Sequence, residues 1–385
     1  MDIRIEGGRA LIGSGLENTT IHLAGAPGLI RDIGSDAPAP RRIDADGLIV
    51  LPGIVDIHGD AFERQMMPRP GVAFAMDIAL LDSDRQALAN GITTVFHGVT
   101  WSWEPGLRGT ENARAMLEGI ERLRPRLGAD TRFHLRHETY NLDAEPEIMR
   151  WLGERRIDLM AFNDHMLIAD ETSPRSKKLG EMVGRSGLTR EEFLSLVERV
   201  GRRANEVPAS IERIAQAALA NGVPLLSHDD ASPEQRRWFR SLGCRLAEFP
   251  TTLETAQDAA AHGDDIVLGA PNVVRGGSHI GHTDAKSMVA RGLCSVLASD
   301  YYYPAQLIAA FRLAAEDVLP LHRAWALIAE TAAAAAGLSD RGLIARGRRA
   351  DLILVDARNE RPRVVATIVA GRVVHLIDAD RIVSC

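Results

Sequence analysis

LPGIVDIHGDAFERQMMPRPGV, residues 51–72, decides how the rest of the chain is read. Pro52-Gly53 is a turn pair, and Ile54, Val55 and Ile57 suit a strand buried on both faces. Side chains two apart on a strand point the same way, so His58 and Asp60 leave its end on one side and can aim at one metal ion. A buried parallel strand delivering such a pair at its carboxyl end is how (β/α)8 barrels build their sites.

Outward from this stretch, between about Leu51 and Leu338, short β-branched runs alternate with helical patterns, as in a parallel sheet wound with helices. Eight strand candidates follow in order: LPGIVDIH from Leu51, GITTVFHG from Gly91, TRFHLRHE from Thr131, IDLMAFN from Ile157, VPLLSHD from Val223, RLAEFP from Arg245, DIVLGAP from Asp265 and LCSVLASD from Leu293. Eight is the number a closed barrel requires. Thr189 with Glu192 forms a capping-box pattern, Ser232-Pro233 opens a helix that Gly243 stops, and Thr283 is expected to cap the helix closed by Gly292. The segment from Asp170 to Pro208 is long for a crossover and is expected to add a loop over the mouth. Residues 1–50 and 341–385 carry short strand patterns with turn punctuation and form a second unit beside the barrel, residues 51–340.

In a barrel the strand carboxyl ends share one mouth, so the chemistry-bearing side chains can be collected from the strand ends alone. His58 and Asp60 come from the first strand, Glu138 from the third, Asn163, Asp164 and His165 from the fourth, His228, Asp229 and Asp230 from the fifth, and Asp300 from the eighth. Taken singly, each reads equally well as a cap or a hydrogen-bond partner. Together they make a nitrogen and oxygen donor set suited to Zn, Mn, Fe or Ni. His134 and His137, in the same strand as Glu138, read as packing residues.

A net charge of -7 argues against non-specific attraction to nucleic acid or to an anionic membrane. No stretch reaches the ~18 apolar residues of a membrane span, and three scattered cysteines argue against a disulfide framework, so a cytoplasmic location is expected. Of the 45 basic residues only Lys177, Lys178 and Lys286 are lysine, and none falls at a strand end. A carbamylated lysine bridging two metals is therefore not expected.

Several of these motifs resemble a known family. PGIVDIHGD, 52–60, resembles the first barrel strand of the amidohydrolase superfamily, whose branch acting on phosphonate-pathway intermediates ends that strand in His-x-Asp. Pro68-Arg69-Pro70 matches a Pro-Arg-Pro of that branch, and GAPNVVRGGSHIGHTDAK, 269–286, is similar to its Pro-Asn-Val-Val-Arg-Gly-Gly-Ser-His segment. The tail RGLIARGRRADLILVDA, from Arg341, with the later Val-Ala-Gly-Arg, resembles the superfamily's closing hairpin. The family so indicated is the alpha-D-ribose 1-methylphosphonate 5-triphosphate diphosphatase of the carbon-phosphorus lyase pathway.

The resemblance implies a (β/α)8 barrel with a small β-sandwich built from both terminal segments, and one or two divalent ions, zinc first. It assigns His58, Asp60, His228 and Asp300 as ligands, Glu138 as a bridging carboxylate in place of the carbamylated lysine, and His165 as a further ligand with Asp164 the competing candidate. Asp300 would also be the general base. Arg64, Arg69, Asn272, Arg275, Gly276 and Gly277 would hold a small phosphorylated sugar, since arginines beside glycine amides suit an anion. A homodimer is expected by fold analogy. One departure stands out: common members read His-Thr-Asp followed by Asn-Leu-Glu or His-Leu-Glu, where this chain reads His58-Gly59-Asp60-Ala61-Phe62-Glu63. Hydrolysis of an amide, lactam or amidine bond on the same barrel is the alternative reading, and a scaffold that has lost its metal is a third.

Overall fold

The computed structural model describes residues 2–166, 176–276, 284–359 and 361–384 of the 385-residue chain. The eight expected strands are present as parallel neighbours in sequence order: Ile54–Gly59, Ile92–Trp101, Asp130–Glu138, Leu159–Asn163, Leu225–His228, Leu246–Glu248, Asp265–Gly269 and Val296–Ala298. Nearly every residue of these strands is buried, as expected where helices cover the outer face. The eighth strand returns to the first through Asp300 N donating to His58 O (2.9 Å) and Asp60 N donating to Asp300 O (3.0 Å), which closes the ring at its mouth. Phe96, Leu159, Ala161, Leu226, Leu246, Val267, Val296 and Ala298 fall in one buried cluster within the barrel. Full burial contributes roughly 1.5–3 kcal/mol for each larger side chain.

Pro52-Gly53 separates two structural units. The strand Ile49–Pro52 before it belongs to a terminal sheet, and Ile54–Gly59 after it opens the barrel. One terminal sheet has six strands in the order Arg372–Leu376, Arg363–Val369, Leu352–Asp356, Ile49–Pro52, Arg9–Ile12 and Gly15–Asn18. The other has five, in the order Ile382–Ser384, Arg41–Asp44, Ile3–Glu6, Ile21–Leu23 and Ile30–Ile33. Both mix segments from before and after the barrel and bury one apolar cluster between them. Buried polar contacts fix this small domain to the barrel: Arg341 Nη1 donates to Asp130 Oδ2 (2.6 Å) and Thr94 Oγ1 (2.8 Å), and Trp325 Nε1 donates to Pro52 O (3.1 Å).

Helix ends follow the sequence with two differences. The Thr189–Glu192 capping box is formed, and Ser232 accepts from Gln235 N at the start of Pro233–Ser241. The helix Ala285–Ala290 is capped by Asp284, which accepts from Ser287 N (3.0 Å), while Thr283 lies outside the described residues. The insertion after the fourth strand is helical in its described part, with Ser176–Ser186 and Arg190–Gly201 packed through Leu179, Met182 and Phe193 against Trp103. Its apolar spacing suffices to bury one face of each helix; the second follows the expected capping box, and the first lies where a loop was expected. Among the described residues no helix is long and apolar enough to cross a membrane.

A buried ionic cluster braces the fifth strand. Arg236, fully buried, pairs with Asp230 (3.2 Å) and Asp264 (3.1 Å) and donates to the Leu246 carbonyl (3.3 Å). Removing one partner of such a cluster leaves a buried charge uncompensated, at a cost of ~3–5 kcal/mol. Arg236→Met is accordingly expected to lower the unfolding free energy measured in urea by an amount in that range, while substitutions at exposed Arg202 leave it within ~0.5 kcal/mol.

Candidate metal centre

Each group at the barrel mouth is placed by the alternation of its strand. Asp56, His58 and Asp60 project on one side of the first strand, and His134, Arg136 and Glu138 on one side of the third. His58 and His228 lie stacked with ring centroids 5.8 Å apart. Between their Nδ1 atoms sits Glu248, from the end of the sixth strand, accepting from His58 (2.6 Å) and His228 (2.7 Å) with separate oxygens. Burial alone would raise the Glu248 pKa, but the two imidazoles outweigh it and hold the carboxyl well below its ordinary value. An ionised Glu248 fixes both tautomers and reserves both Nε2 atoms for the mouth. His165 is fixed in the same way by Glu138, which accepts from its Nδ1 (2.5 Å) with one oxygen and from its backbone N (3.2 Å) with the other. Burial opposes the charge on Glu138, yet His165 holds its pKa down to about 2.

Two groups of donors result, in each of which the ligand atoms lie within 4.8 Å of one another: His58 with Asp60 and Asp300, and His165 with His228 and Asp229. A third group, His58 with His134 and Glu248, is more deeply buried and contains the hydrogen bond that orients His58. Asp164 turns back to accept from Met166 N (3.0 Å). Asp230 points away from the mouth into the Arg236 cluster, whereas Asp229 approaches His228 (3.7 Å) and His165 (4.0 Å). Asn163 ends the fourth strand fully buried, with neither side-chain atom paired.

Three residues following strands at the mouth, Asp229, Phe249 and Asp300, have positive φ of 55–57°. Asp tolerates that region better than most residues, but Phe249 does not, and such strain persists only where surrounding contacts enforce it. Here the Phe249 ring packs edge-on against His58 (5.0 Å) and His228 (5.3 Å). Asp300 bears the electrostatic cost of closure: burial first, and then the neighbouring Asp60, push its pKa up from 3.8 to about 7. For His58, burial disfavours the charged ring, but Glu248 outweighs it and the net shift is upward. A cation between these two carboxylates and Nε2 of His58 would relieve the repulsion, so the donors fit a divalent ion in both chemistry and spacing.

Gly59 departs from the common motif and Glu63 shares it, and the structure shows what constrains each. A Cβ on Gly59 would lie 2.6 Å from Asp56 Oδ2 and 3.2 Å from Ser299 Oγ, so the threonine of the common motif has no room. Asp56 is engaged there by Ser299 through its backbone N (3.0 Å) and Oγ (2.6 Å). Glu63 forms a two-pronged pair with Arg108 (2.8 and 2.9 Å). Of the expected anion contacts, Arg64 lies 5.9 Å over the Tyr301 ring and Arg275 Nη1 donates to Tyr301 Oη (3.4 Å), one residue from Asp300. Asn272 Nδ2 and Asp300 Oδ2 lie 3.7 and 3.2 Å from the position a Cβ on Gly269 would take. Gly276 is the left-handed cap of the helix Ala270–Arg275, Arg69 extends from an exposed turn, and Gly277 lies outside the described residues.

Glu248, Arg136 and Arg108 carry geometry the sequence reading did not assign. Glu248 closes RLAEFP at the strand end that flagged the other ligands, and Arg136 precedes Glu138 by the two residues that put it on the same face. His97 packs edge-on to Phe62 (5.1 Å) with Nδ1 unpaired.

Comparisons with known proteins agree with this architecture. Residues 197–375 match the family described as Amidohydrolase family. The alpha-D-ribose 1-methylphosphonate 5-triphosphate diphosphatase of Escherichia coli (strain K12) is 34% identical over 337 residues, covering 84% of this chain and 88% of that one. A dihydroorotase of Citrifermentans bemidjiense is 34% identical over 98 residues, 25% of this chain and 21% of that one. Among solved structures, the dihydropyrimidinase of Brevibacillus agri superposes with a TM-score of 0.67 at 14% identity, covering 98% of this chain and 95% of that one. A D-hydantoinase of Bacillus sp. AR9 gives 0.65 at 13% identity, covering 97% and 95%.

Two outcomes follow for ion binding. Glu248→Gln removes the carboxylate that sets both imidazole tautomers, and is expected to weaken divalent-ion affinity ~10–100-fold in competition with a chromophoric chelator. Because the folded Asp300 carboxyl keeps its proton from its ordinary 3.8 up to about 7, the ion-free fold loses stability as pH rises across that window and none beyond it from this group. An incoming ion must displace that proton, so apparent affinity should climb with pH up to about 7 and level off above; a profile flat from pH 5 to 8 would contradict this.

Proposed function

The chain belongs to the amidohydrolase superfamily, in the family of the Escherichia coli diphosphatase, and from that premise we propose that it hydrolyses a phosphoanhydride of ribose 1-methylphosphonate 5-triphosphate, releasing pyrophosphate and leaving the 5-phosphate. The observation that carries this reading beyond a hydrolase of the superfamily is the meeting of Arg64 and Arg275 at Tyr301, directly after Asp300. Two permanent cations at the lip of a carboxylate site suit a polyanion and serve no purpose for a neutral amide or lactam ring.

His58, Asp60 and Asp300 would hold the ion, oriented by Glu248. A divalent ion there supplies Lewis acidity that lowers the pKa of water toward ~7. Asp300, a carboxylate once an ion has displaced its proton, takes the proton from the attacking water as its oxygen bonds to the α-phosphorus. Arg64, Arg69 and Arg275 hold the charge that develops as the bond to the bridging oxygen breaks, and Asn272 with the Gly276 and Gly277 amides would complete the anion cradle. Pyrophosphate held by cations is a good leaving group, so no dedicated acid is required.

Phosphorus NMR of the protein supplied with a divalent ion and the triphosphate is expected to show pyrophosphate appearing while the phosphonate resonance persists. Asp300→Asn should lower turnover at least ~10²-fold with the circular dichroism spectrum unchanged. Persistence of the triphosphate in the presence of protein with confirmed bound ion would instead place amide-type hydrolysis first.

A further inference from the structure

Arg136 occupies the place where a second ion would have to sit. It lies on the third strand, 4% exposed, with Nη1 donating to Asp60 Oδ2 (3.4 Å) and Nη2 donating to His228 Nε2 (3.3 Å). Asp60 belongs to the donor group around His58 and Asp300, and His228 to the group around His165 and Asp229, so the guanidinium joins the two groups. Because Glu248 takes the proton on Nδ1 of His228, Nε2 is the acceptor, and Arg136 already uses its lone pair.

The niche is built for this side chain. Gly98, within the second strand, has no side chain where a Cβ would lie 3.1 Å from Arg136 Cδ and 3.8 Å from His58 Cδ2. A side chain there would crowd the aliphatic stem and require it to shift. An ion on His228 would lie ~2.0–2.1 Å from Nε2 along the line the guanidinium now takes. Arginine cannot make way by losing its proton, because its guanidinium carries a permanent charge in proteins.

We propose that Arg136 is a resident cation standing in for the second metal of the site: the chain binds one divalent ion, on His58, Asp60 and Asp300, and His228 serves as the acceptor that fixes Arg136. This inference rests on the metal-dependent reading above and specifies the ion count that reading leaves open. It also gives the chain a way to link the two donor groups without a bridging lysine carbamate.

The test is ion stoichiometry, read without reference to turnover. Chelator-stripped protein is reloaded with Mn(II), dialysed, and analysed for metal per chain and by electron paramagnetic resonance, for the natural chain and for Arg136→Met. The expected result is one ion per chain with an uncoupled Mn(II) spectrum for the natural chain, rising to two ions with an exchange-coupled spectrum for Arg136→Met. Two coupled ions in the natural chain would overturn the proposal and leave the hydrolase reading standing. One ion in both proteins would overturn the role of Arg136 as occupant of the second position. No bound ion in the natural chain would defeat the metal-dependent reading itself, and this inference with it. The natural chain decides the count even if Arg136→Met fails to fold.

Discussion

The closure of the barrel between its first and eighth strands is the constraint from which the site follows. Backbone hydrogen bonds join His58 and Asp60 to Asp300, and the Asp56 carboxylate, 243 residues from Ser299 in sequence, receives that residue's N–H and hydroxyl just below. The seam needs Gly59 bare and Asp300 left-handed, because any bulk at 59 would strike Asp56 and Ser299. Its electrostatic result is two carboxylates, Asp60 and Asp300, held side by side in a buried setting where one of them keeps its proton to about 7. The same bonds that complete the ring thus create a demand for positive charge at one point on its rim.

The remaining polar groups of the mouth answer that demand in two ways. Carboxylates deeper in the wall orient imidazoles: Glu248 serves His58 and His228 together, and Glu138 serves His165. Guanidinium groups supply fixed charge, with Arg136 between Asp60 and His228, Arg108 on Glu63, and Arg64 and Arg275 at Tyr301. A chain with three lysines among its 45 basic residues must place its permanent cations this way, and arginine's planar fork suits a carboxylate and an imidazole at the same time. Glu138 engages His165 with both oxygens, so its contribution at the mouth runs through that ring.

What the sequence disclosed was whatever depends on local periodicity. The eight strands are visible as β-branched runs closed by turn residues, and His58, Asp60, His228 and Asp300 stand out because they terminate such runs. Glu248 and Arg136 obey the same two-residue alternation and were legible in principle: Glu248 ends its strand as Glu138 does, whereas Arg136 is a residue type that suggests no ligand. The reason for Gly59-Asp60-Ala61-Phe62-Glu63 was not legible at all. For Gly59 it lies in the closeness of Asp56 and Ser299, and no local pattern connects Ser299 to residue 59. The helix Ser176–Ser186 of the insertion and the cap at Asp284 were missed for a smaller reason, a choice between near-equivalent local signals.

The way the two terminal segments interleave has a consequence for biosynthesis. Ile49–Pro52 pairs with Leu352–Asp356, about 300 residues later, and Arg41–Asp44 pairs with Ile382–Ser384. At ribosomal speeds of ~5–20 residues per second, the partner of Ile49–Pro52 emerges roughly 15–60 s after it. Throughout that interval the early strands present open edges that invite pairing with other nascent chains. Within the barrel each strand pairs with the next one made, and only the first, which also waits for the eighth, has a long-delayed partner. Assembly is therefore vectorial for the catalytic domain and deferred for the small sheets, which places the hazard of misassembly in the part of the molecule farthest in order of synthesis from its partner.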